Sequence, residues 1–140
     1  MKRITAILLT IVLLLATAVP TLAAAPNVAI PYYANTSQAS VTLVIDETGS
    51  ASWTIMCLGK SSCTGIESRT YLERQVGDSW VRVDLGNATN EFTYSTSASR
   101  MVKTYEMDLS THGTYRATVI FTVYGTAEDE TLTYWATRTF

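Results

Sequence analysis

The sequence contains one histidine, two cysteines and three prolines, and its ten basic residues form no cluster. Zinc and redox motifs need more His and Cys than this, and no C-x-x-C spacing occurs, so neither kind of site is expected. Nucleic acids and anionic membranes require clustered Lys and Arg, which this chain with its net charge of −2 does not offer. No helical period stands out either, and a helical bundle is not expected.

Residues 1–25 have the pattern of a secretory signal peptide. Lys2 and Arg3 precede an uncharged apolar run over residues 4–19, and small residues follow as far as Ala25. The run is shorter than the roughly 20 apolar residues that span a bilayer, so stable membrane insertion after cleavage is not expected. Cleavage would leave 115 residues with 8 basic and 12 acidic side chains, a net charge of about −4. We therefore predict a secreted, extracellular protein.

Alternation of apolar and polar residues predicts strands through most of the remaining chain. The clearest example is the stretch 113–124, whose Tyr115, Ala117, Val119, Phe121 and Val123 alternate with residues that are mostly polar. It is rich in β-branched and aromatic residues and has no proline, as a strand with neighbours on both sides requires. We predict that it is a central strand.

The other strands are predicted from the same period and from Gly-containing turns between them. They cover residues 40–46, 51–58, 66–75, 80–85, 100–109 and 131–140. Residues 26–39 are expected to be an extended lead-in, and residues 86–99 a polar loop that crosses between two sheets. Residues 40–140 would form one all-β domain of about seven strands, an antiparallel sandwich.

The segment Leu109-Ser110-Thr111-His112-Gly113-Thr114-Tyr115-Arg116-Ala117 resembles the corner that opens strand F of immunoglobulin-like and fibronectin type III domains. This resemblance implies an immunoglobulin-like two-sheet sandwich, in which the hydroxyl of Tyr115 bonds to nearby backbone. Ala117 stands where an immunoglobulin domain has a Cys, so the inter-sheet disulfide of that family cannot form. The core would depend instead on apolar faces and on Trp53.

The chain is also similar to short secreted sandwich proteins of Gram-positive bacteria. The shared features are a signal peptide, a Leu-Glu-Arg-like strand, a Gly and Trp turn and a Gly-Thr-Tyr-Arg strand. They are found here at Leu72-Glu73-Arg74, at Gly77 with Trp80, and at Gly113 to Arg116. This resemblance implies a fold, and it does not imply a binding partner.

The two cysteines are separated by five residues. Because secretion would expose the chain to an oxidising medium, we predict a structural disulfide between Cys57 and Cys63.

No set of residues specifies a reaction. Asp108, Ser110 and His112 lie at alternate positions, but residues two apart on a strand are roughly 7 Å apart, whereas a nucleophile and its base must approach to about 3 Å. The acidic run 128–130 lacks the spaced oxygen ligands of a calcium loop and is expected to be a solvated hairpin tip. We predict that the protein is not an enzyme and has no catalytic residue, metal or cofactor.

The surface predicted to bind a partner is aromatic. If Leu132, Tyr134 and Ala136 point inward, Trp135 points outward among threonines. The residues predicted to share this outer face are Trp135, Tyr124, Arg116, Ile120, Tyr71 and Trp80. Exposed rings with hydroxyls and an Arg could stack on a sugar or anchor a protein. The alternative is that Trp135 only covers the sheet as a packing residue.

These observations predict a secreted, non-catalytic interaction or structural module that binds an unknown extracellular protein or glycan. Two other classes remain open. A small secreted hydrolase would need a carboxylate pair or an activated Ser in a cleft. A carrier of a small apolar ligand would need a sizeable internal cavity.

Overall fold

The computed structural model describes residues 33–140, which form an all-β sandwich of two antiparallel sheets. The predicted signal peptide and residues 26–32 of the predicted lead-in lie outside the described residues. The strands are β1 (Thr36–Ile45), β2 (Ser50–Gly59), β3 (Cys63–Val76), β4 (Ser79–Arg82), β5 (Phe92–Thr96), β6 (Arg100–Asp108), β7 (Thr114–Gly125) and β8 (Glu130–Thr139). This part of the chain has no helix long and apolar enough to cross a membrane.

The two sheets contain three and five strands. The first has the order β1-β2-β6, and the second has the order β4-β3-β7-β8, with β5 paired to β3 on the same side as β4. Strand β7 therefore lies between β3 and β8, which confirms the prediction that it is central. The hairpins β1–β2, β3–β4 and β7–β8 are also confirmed.

The described chain has eight strands rather than about seven, because β5 forms within the predicted crossing loop. The 14-residue strand β3 is long enough to pair with β4 near its end and with β5 near its start. Phe92 anchors β5, since its ring stacks on the rings of Trp53 and Tyr105 in the space between the sheets. The preceding strand is shorter than predicted and ends at Arg82.

Trp53 is the largest side chain of the core and is completely buried, as predicted. Its indole nitrogen donates a hydrogen bond of 3.1 Å to the hydroxyl of Thr70 on the opposite sheet. Thr70 in turn donates to the backbone carbonyl of Thr118 at 2.8 Å. The one polar atom of the ring is thus satisfied, which lets a Trp occupy the centre of an apolar core.

The corner before β7 has the backbone contact expected for Tyr115. This residue is buried, and its hydroxyl donates to the carbonyl of Thr111, four residues earlier. At the same end of the sandwich, Gly113 and Phe140 exchange two backbone hydrogen bonds of 3.0 and 2.9 Å. The turn is therefore fixed both by its own tyrosine and by the residue that follows β8.

The predicted disulfide is wrong, because Cys57 and Cys63 are both free thiols. The inward alternation of β2 places Cys57 in the core of the three-stranded sheet, where it is completely buried. Cys63 begins β3 in the other sheet, and its sulfur lies against Gly59 and donates to the carbonyl of Gly65 at 3.5 Å. The five-residue spacing between the cysteines does not reveal that Cys57 lies in the core of one sheet while Cys63 begins a strand of the other.

We expect the two thiols to differ strongly in reactivity. Burial, followed by the charges of Cys63 and Glu130, raises the pKa of Cys57 to about 12. A disulfide reagent at pH 8 should therefore label Cys63 first and Cys57 at least roughly a hundredfold more slowly, since the thiolate is the reactive form. Stopped-flow labelling and mass spectrometry would measure both rates. Cys63→Ser should remove the fast phase, and equal rates at both sites would contradict the prediction.

Candidate functional site

The candidate site is the outer face of the five-stranded sheet. Cross-strand register brings alternate residues of β3, β7 and β8 into rows on this face. The sequence-predicted residues all lie there by register, at the outward positions Tyr71, Trp80, Arg116, Ile120, Tyr124 and Trp135. This sharing of one face follows from the period of two along each strand.

Trp135 is the most exposed large hydrophobic side chain in the described part of the chain, with 64% of its surface accessible. It lies opposite Thr118 of β7, and Thr118 lies opposite Tyr71 of β3. The two rings thus belong to one row, separated by two strand spacings of roughly 10 Å in total. Along β8, the outward neighbours Thr133 and Thr137 are also exposed.

Arg116 is held by its neighbours and is not a free cation. It forms an ion pair with Glu73 on β3 at 2.8 Å, and its Nε donates to the same carboxylate at 2.9 Å. Thr118 donates to that oxygen at 3.3 Å. The guanidinium also lies over the ring of Trp80, 4.2 Å from its centroid. Arg116 and Trp80 therefore form a fixed group beside the row that contains Trp135.

Tyr71 is covered in a similar way. The guanidinium of Arg82 lies 3.3 Å from the centroid of its ring, and Arg82 forms an ion pair of 3.0 Å with Glu91. One face of the Tyr71 ring is thus occupied by a cation, which the quadrupole of the ring attracts. Among the sequence-predicted aromatic residues, Trp135 has the ring most available to a ligand.

Tyr124 and Ile120 lie toward the other end of the face. Ile120 is half-buried between Arg69 and Thr133. Tyr124 is six residues beyond Thr118 on the same strand, roughly 20 Å along it, so it does not join the row of Trp135. Its hydroxyl donates to Glu67 at 3.0 Å, and this bond raises the pKa of Tyr124.

Next to Tyr124, a solvent-open concavity of about 470 Å³ is lined by Glu67, Thr93, Tyr94 and Ser95. By register, Thr93 and Ser95 of β5 belong to the same outer face as Glu67. The sequence analysis assigned none of these residues to the site: Thr93, Tyr94 and Ser95 fall in the stretch predicted to be a loop, and Glu67 was placed on a strand without a role. The alternation of Phe92 and Tyr94 with hydroxyl residues was the available signal.

The acidic run after β7 supports the structure of the sandwich. The carbonyl of Glu128 accepts from the Asn35 side chain at 2.6 Å, and the Asp129 carboxylate accepts from the backbone of Gly125 at 3.2 Å. The Glu130 carboxylate accepts from the backbone of Ala34 and from the Thr36 hydroxyl. These bonds tie the start of the described chain to the β7–β8 hairpin.

His112 lies in the β6–β7 turn, apart from the candidate site. It is exposed and stacks on Phe140, with ring centroids 4.0 Å apart. Within residues 33–140, no hydrogen bond joins His112 to Ser110 or Asp108.

No family model, curated protein or solved structure gives a significant match to this chain.

Proposed function

We propose that this protein is a secreted, non-catalytic extracellular module that binds a glycan through the outer face of its five-stranded sheet. The observation that carries this proposal is the exposure of Trp135 among threonines. A sugar has apolar C–H faces that stack on an aromatic ring and hydroxyls that bond to neighbouring polar groups. Thr133 and Thr137 supply hydroxyls on both sides of the ring.

The surroundings of Trp135 favour a glycan over a protein partner. Protein hot spots are usually set in well-packed apolar pockets. The outward residues of β8 on either side of Trp135 are Thr131, Thr133, Thr137 and Thr139, all of which carry hydroxyls. The concavity beside Glu67 adds a carboxylate and the hydroxyls of β5 to the same face.

We further propose that the fold is the immunoglobulin-like form of the sandwich and that the chain is related to the secreted Gram-positive proteins it resembles. Two observations support the fold. Strands β1, β2 and β6 share one sheet while β3, β7 and β8 share the other, the arrangement of strands A, B, E and C, F, G in that fold. The hydroxyl of Tyr115 also makes the backbone bond of a tyrosine corner.

The positions of the carboxylates on the outer face support a hydrolase less well than a binding module. The outward carboxylates Glu67 and Glu73 are six residues apart on β3, or roughly 20 Å, whereas the pairs in glycosidases are about 5 to 10 Å apart. Glu73 is also engaged by Arg116. For the carrier alternative, an internal ligand would compete for space with Trp53 and Phe121, which are completely buried between the sheets.

Trp135→Ala tests the proposed function. We expect it to weaken glycan binding by roughly tenfold or more while changing the free energy of unfolding by less than about 1 kcal/mol. Binding would be measured on a panel of neutral and acidic cell-wall polysaccharides by tryptophan fluorescence and calorimetry. Denaturant unfolding of the same variant gives its stability.

Val44→Ala is the matched control, because Val44 is 62% exposed on the outer face of the other sheet. It should leave both binding and stability nearly unchanged. A loss of several kcal/mol in Trp135→Ala, with no polysaccharide bound by the unmodified protein, would identify Trp135 as a packing residue and refute the proposal.

A further inference from the structure

Strand β8 is an edge strand with few of the features that prevent edge-to-edge pairing. Within the described residues it pairs only with β7, over ten residues and without a bulge. It contains no Pro or Lys, and its only charged residues are Glu130 and Arg138 at its two ends. Natural edge strands are usually protected by short length, bulges, Pro or charge, because the unpaired backbone groups can accept another strand.

The other edges of the described sheets are better protected. Strands β4 and β5 have only four and five residues. Strand β6 carries four charged residues: Arg100, Lys103, Glu106 and Asp108. Strand β1 is uncharged, but its pairing is irregular between Thr36 and Gln38. β8 is thus the longest regular edge.

The charges of β8 are complementary to a second copy of the same strand. Glu130 and Arg138 lie four residues on either side of Tyr134. In an antiparallel pair centred on Tyr134, each Glu130 therefore faces Arg138 of the other copy. Arg138 is exposed, has no acidic partner within residues 33–140, and bonds only to the carbonyl of Thr137 at 3.4 Å. It is available for such an ion pair.

The uncharged residues suit the same register. Thr131 would face Thr137 of the other copy, and Thr133 would face Trp135. Pairs of β-branched residues and pairs of β-branched with aromatic residues are favourable across antiparallel strands. No like charges would be opposed. A two-fold arrangement of this kind makes each contact twice, as closed dimers do.

We propose that two copies of this chain form a symmetric dimer through β8, which joins the two five-stranded sheets into one continuous sheet of ten. The outer faces of the two copies then form one continuous surface, and the two Trp135 side chains lie near the dimer axis. This inference does not depend on the proposed glycan, since the pairing rests on the edge of β8 alone.

Charge reversal and sedimentation test the dimer. The full chain would be expressed, and the protein would be purified in the form that remains after any processing by the cell. Sedimentation velocity would then be measured over a range of concentrations. We expect a reversible dimer that Arg138→Glu weakens at least about tenfold, because the change opposes two acidic residues at each end of the pair. Arg100→Glu is the matched control: Arg100 is exposed at the start of β6, and its reversal should leave the dimer unchanged.

A mixture gives a sharper test of the register. A Glu130→Arg chain should also dimerise poorly with itself, yet it should form a one-to-one dimer with the Arg138→Glu chain. Because Glu130 also holds Ala34 and Thr36, its variant could lose stability. Hydrogen exchange on the unmodified protein needs no variant: the amides of β8 should become more protected as concentration rises. A monomer at every concentration, or a dimer that protects β1 or β6 instead, would overturn the proposal.

Discussion

Trp53→Ala is expected to lower the free energy of unfolding by about 3 to 5 kcal/mol, a large part of the stability of a small domain. Trp53 is completely buried, and its ring stacks on Phe92 and Tyr105. Its removal would leave a cavity that these rigid rings cannot fill, and Thr70 would lose its indole donor. Urea unfolding followed by circular dichroism measures the change.

Two comparisons separate the causes of this loss. Trp135→Ala removes the same side chain from the surface and should cost less than about 1 kcal/mol. Trp53→Phe keeps an aromatic ring in the core but removes the hydrogen bond to Thr70, so its cost should lie between the two. If Trp53→Ala left the denaturant midpoint unchanged, the core would not be organised around this residue.

Gly49→Ala is expected to cost about 3 kcal/mol for two separate reasons. Gly49 has a φ of +89°, which side-chain-bearing residues rarely adopt. An added Cβ would also lie 2.6 Å from the carbonyl oxygen of Leu109 and 2.8 Å from the ring of Phe140. The turn cannot easily shift to relieve the collision, because Leu109 donates a backbone hydrogen bond of 2.8 Å to Gly49.

Gly77→Ala isolates the first of these reasons. Gly77 has a φ of +61° in the β3–β4 turn, and nothing lies within 4 Å of an added Cβ there. We expect a cost of only about 1 kcal/mol, which is the backbone contribution alone. Thermal unfolding of both variants gives the comparison. Equal losses at the two positions would show that the contacts with Leu109 and Phe140 contribute little to the cost.

The features that could be predicted from the sequence depend on neighbours along the chain. The alternation in β7 gives its buried face and its central place, and the same period gives the inward side of Trp53. Gly49 and Gly77, both with positive φ, mark the turns of the first two hairpins, and Gly125 ends β7 before the third. The core-facing side of β3 cannot be predicted from the sequence, because Ser68 and Thr70 are polar yet completely buried. Their hydroxyls bond to backbone carbonyls of β5 and β7, which makes burial tolerable.

What could not be predicted depends on partners from distant parts of the chain. The sequence predicts that Arg116 lies on the outer face as a contact for a partner, but it does not show that Glu73, 43 residues away, pairs with its charge. Tyr71 was expected to offer its ring, but Arg82 covers it. The period of two fixes which side of a sheet a residue occupies, whereas cross-strand register decides what that residue touches.

The pairing of β3 with β7 sets how fast this chain can fold. The ladder joins Arg74 to Tyr115 at one end and Cys63 to Gly125 at the other, so the first contact closes a loop of about 40 residues or more. The hairpins β1–β2 and β7–β8 close short loops and can form earlier. Domains dominated by such distant pairings fold on the millisecond-to-second scale. During that time the edge of β8, which carries charge only at its two ends, is exposed to other newly made chains. An unpaired strand edge of this kind is a site at which incompletely folded chains aggregate.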